Sequence, residues 1–371
     1  MRIGIDARMY NSNGTGISRY VRELVNHITK FDTENTYVVF LSAEMFEKFQ
    51  APSHVEKVRV DSPYYSLSEQ TKFLQALYQA RLDLVHFTHF NAPIFYLDPC
   101  VVTVHDLTLS KFPGQKMNTW LHKKAYELTI WSVVKKAKHI ITVSDHTQKD
   151  LHDIFSTPSN KMTTVYLGVD GFEPLSKTEN EKTKKKFSIS KPCFLYVGVW
   201  RNHKNLLHLI DAFNVLRAGG LDAQLLMTGK ESPYYPEIRE MISDSPFSED
   251  IITPGFVSEE DLHALYSATD VLVNPSFYEG FGIPPLEAMA SGSVVAVSQA
   301  TSHPEICGDA ALYFNPHSVS HMATIMKQAM TDESLRSELK KKGLERVKMF
   351  RWDKTAQETL AIYNQVLKKG K

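Results

Sequence analysis

VLVNPSFYEGFGIPPLEAMASG, residues 271–292, reads as a strand, a turn and a helix start in that order. The apolar run Val271 to Val273 suits a strand buried on both faces of a parallel sheet. The turn carries Glu279, Gly280, Phe281, Gly282, Ile283, Pro284 and Pro285, and Leu286 to Ala290 then read as helix. Two prolines in a first helical turn cost nothing, because their missing N–H groups would have no intrahelical partner, and the glycines let the backbone approach a ligand closely. Such a helix start attracts anions. Glu279 and Glu287 bracket the turn with seven residues between them, so both carboxylates can face a ligand held at one mouth. Carboxylates repel phosphate; their chemistry suits accepting hydrogen bonds from hydroxyls.

These residues resemble the retaining, nucleotide-sugar-dependent glycosyltransferases of family 4, where a Glu-(seven residues)-Glu pair flanks a Gly-Phe-Gly-x-Pro turn. The resemblance implies the GT-B fold: two doubly wound, Rossmann-like α/β domains facing across a cleft. It also implies roles. Glu279 would contact the donor sugar and Glu287 the nucleotide ribose, while the N–H groups of Phe281, Gly282 and Ile283 hold sugar hydroxyls and the helix start at Leu286 stabilises charge.

Length and composition agree with that class. A chain of 371 residues can bury two cores, and 43% hydrophobic with 23% charged residues is ordinary for a water-soluble globular protein. Lys plus Arg and Asp plus Glu both number 42, so no overall field favours nucleic acid. Cys100, Cys193 and Cys307 are far apart and odd in number, which favours a reduced, cytoplasmic setting over a disulfide framework. No run of about 18 apolar residues predicts a membrane span.

Short apolar runs alternate with longer helical segments: Ile3 to Ile5, Tyr37 to Leu41, Leu84 to Phe87, Val101 to Val104, Ile140 to Val143 and Met162 to Tyr166. That order predicts a parallel sheet covered by helices. Lysine-rich residues 177–187 follow, read either as a linker or as an exposed opening helix. A second series runs through Phe194 to Val197, Gln224 to Met227, Ile251 to Ile252, Val271 to Val273 and Val294 to Val297. We therefore expect an N-terminal acceptor-binding domain over 1–180, completed by a C-terminal helix over 354–371 that the resemblance returns to it. A nucleotide-sugar-binding domain would occupy 181–353.

The remaining candidate sites lie at strand ends, where doubly wound sheets bind ligands. Gly14 and Gly16 open the first helix and resemble the family's glycine-rich loop near the donor phosphates; a third glycine is missing, which removes the dinucleotide fingerprint. His105 ends the strand Val101 to Val104, and the matching family histidine binds the donor sugar; the adjoining Asp106 reads equally as a turn cap. His86 and His89 have a metal-like spacing without an acidic or cysteine partner, so packing is their expected role. Arg201 and Lys204, before a helix opening near Asn205, supply two cations for a leaving diphosphate. Many family members place Arg directly before this Lys, where His203 stands here. Gly229, Phe256 and Val257 end two further strands and by resemblance border the nucleotide base, and Glu305 matches a family glutamate near the donor. Lys111, Lys116, Lys123, Lys124, Lys135, Lys136 and Lys138 face Glu127 as the lone acid between 111 and 138, interleaved with Trp120, Leu121, Tyr126 and Trp131. This basic region reads either as a peripheral membrane contact or as a solvated helix face.

Asp-x-Asp and Gly-Lys-Ser/Thr motifs are absent from the sequence, so no metal and no cofactor is expected for catalysis. The expected reaction is transfer of a hexose, with mannose from GDP-mannose foremost, to a glycan or lipid-linked acceptor hydroxyl with retention at the anomeric carbon. UDP-hexose or dTDP-rhamnose donors, a sugar-nucleotide epimerase of the same fold, and a catalytically silent carbohydrate-binding protein are the alternatives.

Overall fold

A computed structural model describes residues 1–11, 16–114 and 120–369. It resolves into two compact units. One holds Met1–Ser110, the described residues up to Gly168, and the C-terminal segment from Arg351; the other holds Val169–Phe350 and the short segment beginning at Lys111.

The first unit is built on seven parallel strands: β1 (Arg2–Asp6), β2 (Thr36–Leu41), β3 (Val55–Arg59), β4 (Leu84–Phe87), β5 (Cys100–Val104), β6 (His139–Thr142) and β7 (Met162–Thr164). Their order across the sheet is β3-β2-β1-β4-β5-β6-β7, so the direction of winding reverses between β1 and β4. Helices cover both faces of such a sheet, which is why the central strands carry no alternation: every residue of β4 and of β5 is buried. Phe40, Phe73, Phe87 and Tyr96 meet edge to face within the core. Helix Trp352–Lys369 belongs to this unit. Its Tyr363 hydroxyl lies 2.6 Å from Nδ1 of His86, whose Nε2 is 2.8 Å from Thr103 Oγ1. His86 is thus a packed structural residue, as the sequence suggested.

The second unit has six parallel strands: β8 (Cys193–Val197), β9 (Gln224–Thr228), β10 (Ile251–Gly255), β11 (Val271–Asn274), β12 (Val294–Ser298) and β13 (Leu312–Phe314). Their order is β10-β9-β8-β11-β12-β13, with the reversal between β8 and β11. The lysine-rich segment is a helix, Lys177–Lys186, and its start explains why: Ser176 and Glu179 form a reciprocal capping box that satisfies two orphan N–H groups. All three cysteines are unpaired and buried, and burial pushes their thiols up, to about 11 for Cys100 and about 12 for Cys193 and Cys307. No helix among the described residues is long and apolar enough to cross a membrane.

Candidate active site

Doubly wound sheets bind ligands where neighbouring loops part company, at the carboxyl ends of the two strands flanking the reversal. In the second unit those strands are β8 and β11, and their loops deliver Lys204 and Glu279. The Lys204 ammonium donates to Glu279 Oε1 at 2.7 Å, and the two side chains keep 19% and 15% of their exposure. The cation and carboxylate proposed from sequence therefore form one partly sheltered ion pair.

Local chemistry builds the pair. After β8 the chain makes a short 3₁₀ turn, Asn202–Lys204, and Asn205 then adopts a left-handed conformation (φ +58°), which asparagine tolerates well. Its amide donates to the carbonyls of Pro275 and Pro316, and the Phe277 N–H donates to the His203 carbonyl, so the loop after β8 is tied to the loop after β11. Ser276 Oγ lies 2.8 Å from Glu279 Oε1, and the Glu279 N–H donates to Thr301 Oγ1. Ser302 donates to the carbonyls of Glu279 and Phe281 and braces the turn from beneath. Burial alone would raise the Glu279 carboxyl; the Lys204 ammonium, with smaller help from His303 and His203, outweighs it and holds the group at about 2. Burial and Lys204 in turn hold His203 near 3, and burial lowers His303. Both imidazoles are neutral near pH 7, which leaves Lys204 as the charge that keeps Glu279 ionised.

Helix Ile283–Ala290 follows, with Pro284 and Pro285 in its first turn as read from sequence. Gly282 precedes it at φ +94°, and a Cβ there would sit 3.2 Å from the His303 ring. Leu286 is buried beneath this start. Glu287 is also buried, and its carboxylate accepts a 2.7 Å bond from Tyr266. The two glutamates thus occupy different settings, one beside a cation near the surface and one within the fold beside a phenol.

The other sequence candidates sort by unit. Arg201 is exposed and makes no ion pair among the described residues. Gly229 (φ +128°) lies at the end of β9, so close to the loop after β8 that a Cβ would meet the Gly198 carbonyl oxygen at 2.0 Å. Phe256 is exposed and Val257 half-buried just past β10. Glu305 is half-buried, with its carbonyl bound by Arg346. In the first unit His105 directly follows β5 and is buried. Burial lowers its pKa, and since the Thr88 carbonyl 2.9 Å from Nε2 can only accept, Nε2 carries the proton and Nδ1 keeps its lone pair. Gly16 is the first residue of helix Gly16–Phe31, while Gly14 lies outside the described residues. His89 stacks on His105 with ring centroids 6.2 Å apart. No group of three or more His, Cys, Asp or Glu side chains is arranged to hold a metal among the described residues.

Sequence reasoning missed Asn205, Ser276, Ser302 and His303, which brace or adjoin the pair. Little local marks them: Asn205, Ser302 and His303 act on loops that the sheet order brings near, Ser276 acts within its own turn, and such polar side chains are ordinary loop composition.

A lysine and a carboxylate at the reversal point of one doubly wound sheet, with a second such sheet in the chain, fit one class: enzymes of GT-B architecture that transfer sugar from a nucleotide carrier. Comparison with known proteins agrees. Residues 14–171 match the family described as Glycosyltransferase Family 4, and residues 177–346 match Glycosyl transferases group 1. Together the two matches span most of the chain, one on each half, and the chain is a nucleotide-sugar-dependent glycosyltransferase. Among similar proteins, O-antigen chain mannosyltransferase B of Escherichia coli is 29% identical over 74% of this chain and 73% of its own length. The serotype-specific mannosyltransferase WbdA of Escherichia coli is 32% identical over 62% of this chain, and that match spans 28% of the relative. O-antigen chain mannosyltransferase RfbU of Salmonella typhimurium is 30% identical over 63% of this chain and 61% of its own length. Among solved structures, sucrose-phosphate synthase from Thermosynechococcus elongatus superposes with a TM-score of 0.81 at 20% identity, covering 99% of both chains. Anabaena HepE in complex with UDP-glucose gives 0.78 at 16%, covering 98% of this chain and 100% of that one. At those identities the structures speak for the fold.

Proposed function

We propose that the chain moves a mannosyl group from GDP-mannose to a hydroxyl of a glycan or lipid-linked acceptor, with retention at the anomeric carbon. The Lys204–Glu279 pair is the observation that carries this reading. In the free enzyme the two groups neutralise each other; an arriving donor exchanges that contact for two better ones. Lys204 turns to the diphosphate, helped by Arg201 and the helix start at Ile283, and Glu279 accepts a bond from a sugar hydroxyl. As the glycosidic bond breaks, positive charge develops on the sugar and negative charge on the leaving phosphate. Fixed cations and backbone dipoles favour that separation without reorganising. The leaving phosphate would help deprotonate the acceptor on the same face. The mannosyltransferase relatives support the sugar. UDP-hexose is the second reading, favoured by the likeness to HepE, whose structure holds UDP-glucose.

A thermal-shift panel of GDP-mannose, UDP-glucose, UDP-galactose and dTDP-rhamnose tests the donor, because a ligand that binds only the folded state raises the melting temperature. GDP-mannose is expected to give the largest shift, and turnover is expected to persist in EDTA. A larger shift with a UDP sugar would overturn the donor, and loss of activity in EDTA restored by Mg²⁺ or Mn²⁺ would overturn the metal-free mechanism.

The partner we propose for the basic region is an anionic lipid surface. Helix Trp120–Lys136 buries Tyr126, Ile130 and Val133 against the first core while Trp120, Leu121, Leu128 and Trp131 stay exposed beside Lys123, Lys124, Lys135 and Lys136. Apolar rings flanked by cations suit the boundary between headgroups and acyl chains. Co-sedimentation with vesicles containing phosphatidylglycerol is expected, and to weaken when Trp120 and Trp131 are both changed to serine. Equal sedimentation with purely zwitterionic vesicles would refute it.

A further inference from the structure

The reversal point of the first sheet carries a construction that the donor chemistry does not use. Thr88, just past β4, donates to the Asp6 carbonyl at the end of β1 at 2.6 Å and joins the two strand ends. Arg8 folds back there: its Nε lies 2.9 Å from one Asp6 oxygen, and its terminal nitrogen 2.8 Å from the other and 2.8 Å from Glu69. Its guanidinium sits between the rings of Tyr64 and Phe73, at 4.5 and 3.9 Å from their centroids. All three charged side chains are almost wholly buried. Glu69 opens a π-helical turn, Glu69–Phe73, a rare geometry that is frequent at functional sites. It also accepts from the Asn91 amide and, at 3.0 Å, from the backbone N–H of Tyr65.

A buried charge triad is seldom the cheapest way to stabilise a fold. What this one holds is the backbone of Tyr65, which sits at φ +59°, a conformation that a bulky side chain avoids unless its surroundings impose it. The strained residue is not packed away. The residue as a whole is 58% exposed, while its hydroxyl end is sheltered, with burial the largest influence on it, followed by Tyr126, Glu69 and Asp106, the neighbour of His105. Strain spent on keeping an aromatic residue largely in the open, at the ligand-binding end of a doubly wound sheet, has a use when the ring must meet something flat and partly apolar.

We propose that Tyr65 is a binding residue for the acceptor, a platform on which one pyranose ring stacks. The C–H face of a pyranose covers an aromatic ring while its edge hydroxyls stay free for hydrogen bonds, and the tyrosine hydroxyl supplies one partner at the rim. This inference rests on the reading of the chain as a transferase with a saccharide acceptor and adds the residue that selects it.

Asparagine tolerates the left-handed conformation and removes the ring, so Tyr65→Asn tests function without adding strain. The variant is expected to melt no lower than wild type and to hydrolyse the donor without acceptor at a rate within twofold. Its KM for a saccharide acceptor should rise at least tenfold, and Tyr65→Trp should restore it. Saturation-transfer NMR with α-linked mannobiose and with maltose reads binding directly: at least one is expected to be saturated by wild type and neither by Tyr65→Asn. Equal saturation in the two proteins, a lowered melting temperature in the variant, or loss of vesicle binding with saccharide binding intact would each overturn the platform. If wild type binds a disaccharide through Tyr65 yet turns over no nucleotide sugar, the platform stands and the transferase reading falls.

Discussion

Lys204→Ala is expected to lower kcat/KM by about 10² to 10³, the usual cost of removing one preorganised charge from a developing oxyanion. The same change is expected to cost about 3 kcal/mol of stability, because Glu279 is left as a largely buried carboxylate without its cation. The pH dependence distinguishes this from a general packing defect. In wild type the Glu279 carboxyl is held at about 2, below its ordinary 4.5. Its contribution to stability is then fully present above about pH 4.5 and is lost as pH falls through about 2. Without Lys204 the largest influence holding the carboxyl down is gone, and burial, which raises it, shifts it upward. The variant's carboxyl then takes up its proton at a higher pH than the wild-type group does, and stability recovers relative to wild type as pH falls through that folded value. The stability deficit of Lys204→Ala should therefore be largest near pH 7 and shrink towards pH 4, as measured by melting temperature against wild type. A deficit independent of pH would mean that the ammonium does not govern Glu279.

Gly229→Ala is the second large effect, and it acts through backbone rather than charge. An alanine there would hold its Cβ 2.0 Å from the Gly198 carbonyl oxygen at a φ of +128°, so it is strained and obstructed at once. The obstruction is backbone, which cannot swing aside as a side chain end can. Relief requires the loop after β8 to move, and that loop carries Arg201 and Lys204. We expect a loss of about 3 kcal/mol, consistent with overpacking combined with a forced conformation, and at least a tenfold loss of nucleotide affinity by calorimetry. Gly220→Ala is the control: its φ of +86° imposes strain, but nothing lies within 4 Å. It should cost about 1 kcal/mol and leave nucleotide binding unchanged. Equal penalties at the two positions would show that contact with Gly198 is unimportant.

How far the chain could be read in one dimension depended on how each element is buried. Strands in the middle of the sheets were plain because burial on both faces demands continuous apolar runs, as in CVVTV at 100–104. Two strands escaped notice, β3 and β13, and both are edges. β3 reads VEKVR, with a single fully buried residue, because an edge strand with a solvated flank needs no apolar run. The lysine-rich helix stayed ambiguous for a related reason: it buries Thr183 and little else, so its capping box is its clearest signal.

By itself the sequence determined the turn from Glu279 to Pro285, the paired series of apolar runs, and the residue types able to grip a diphosphate. All of these are local, set by periodicity, by proline in a first turn and by charge. Tertiary structure alone decided the partners. Lys204 and Glu279 are 75 positions apart and meet because β8 and β11 lie side by side where the winding reverses. Arg8, just past β1, and Glu69, in the crossover from β3 to β4, are likewise brought together by a strand order that no stretch of residues encodes. Strand order is settled by which crossovers bury the most surface at once, and that sum runs over the whole chain rather than over any window of it.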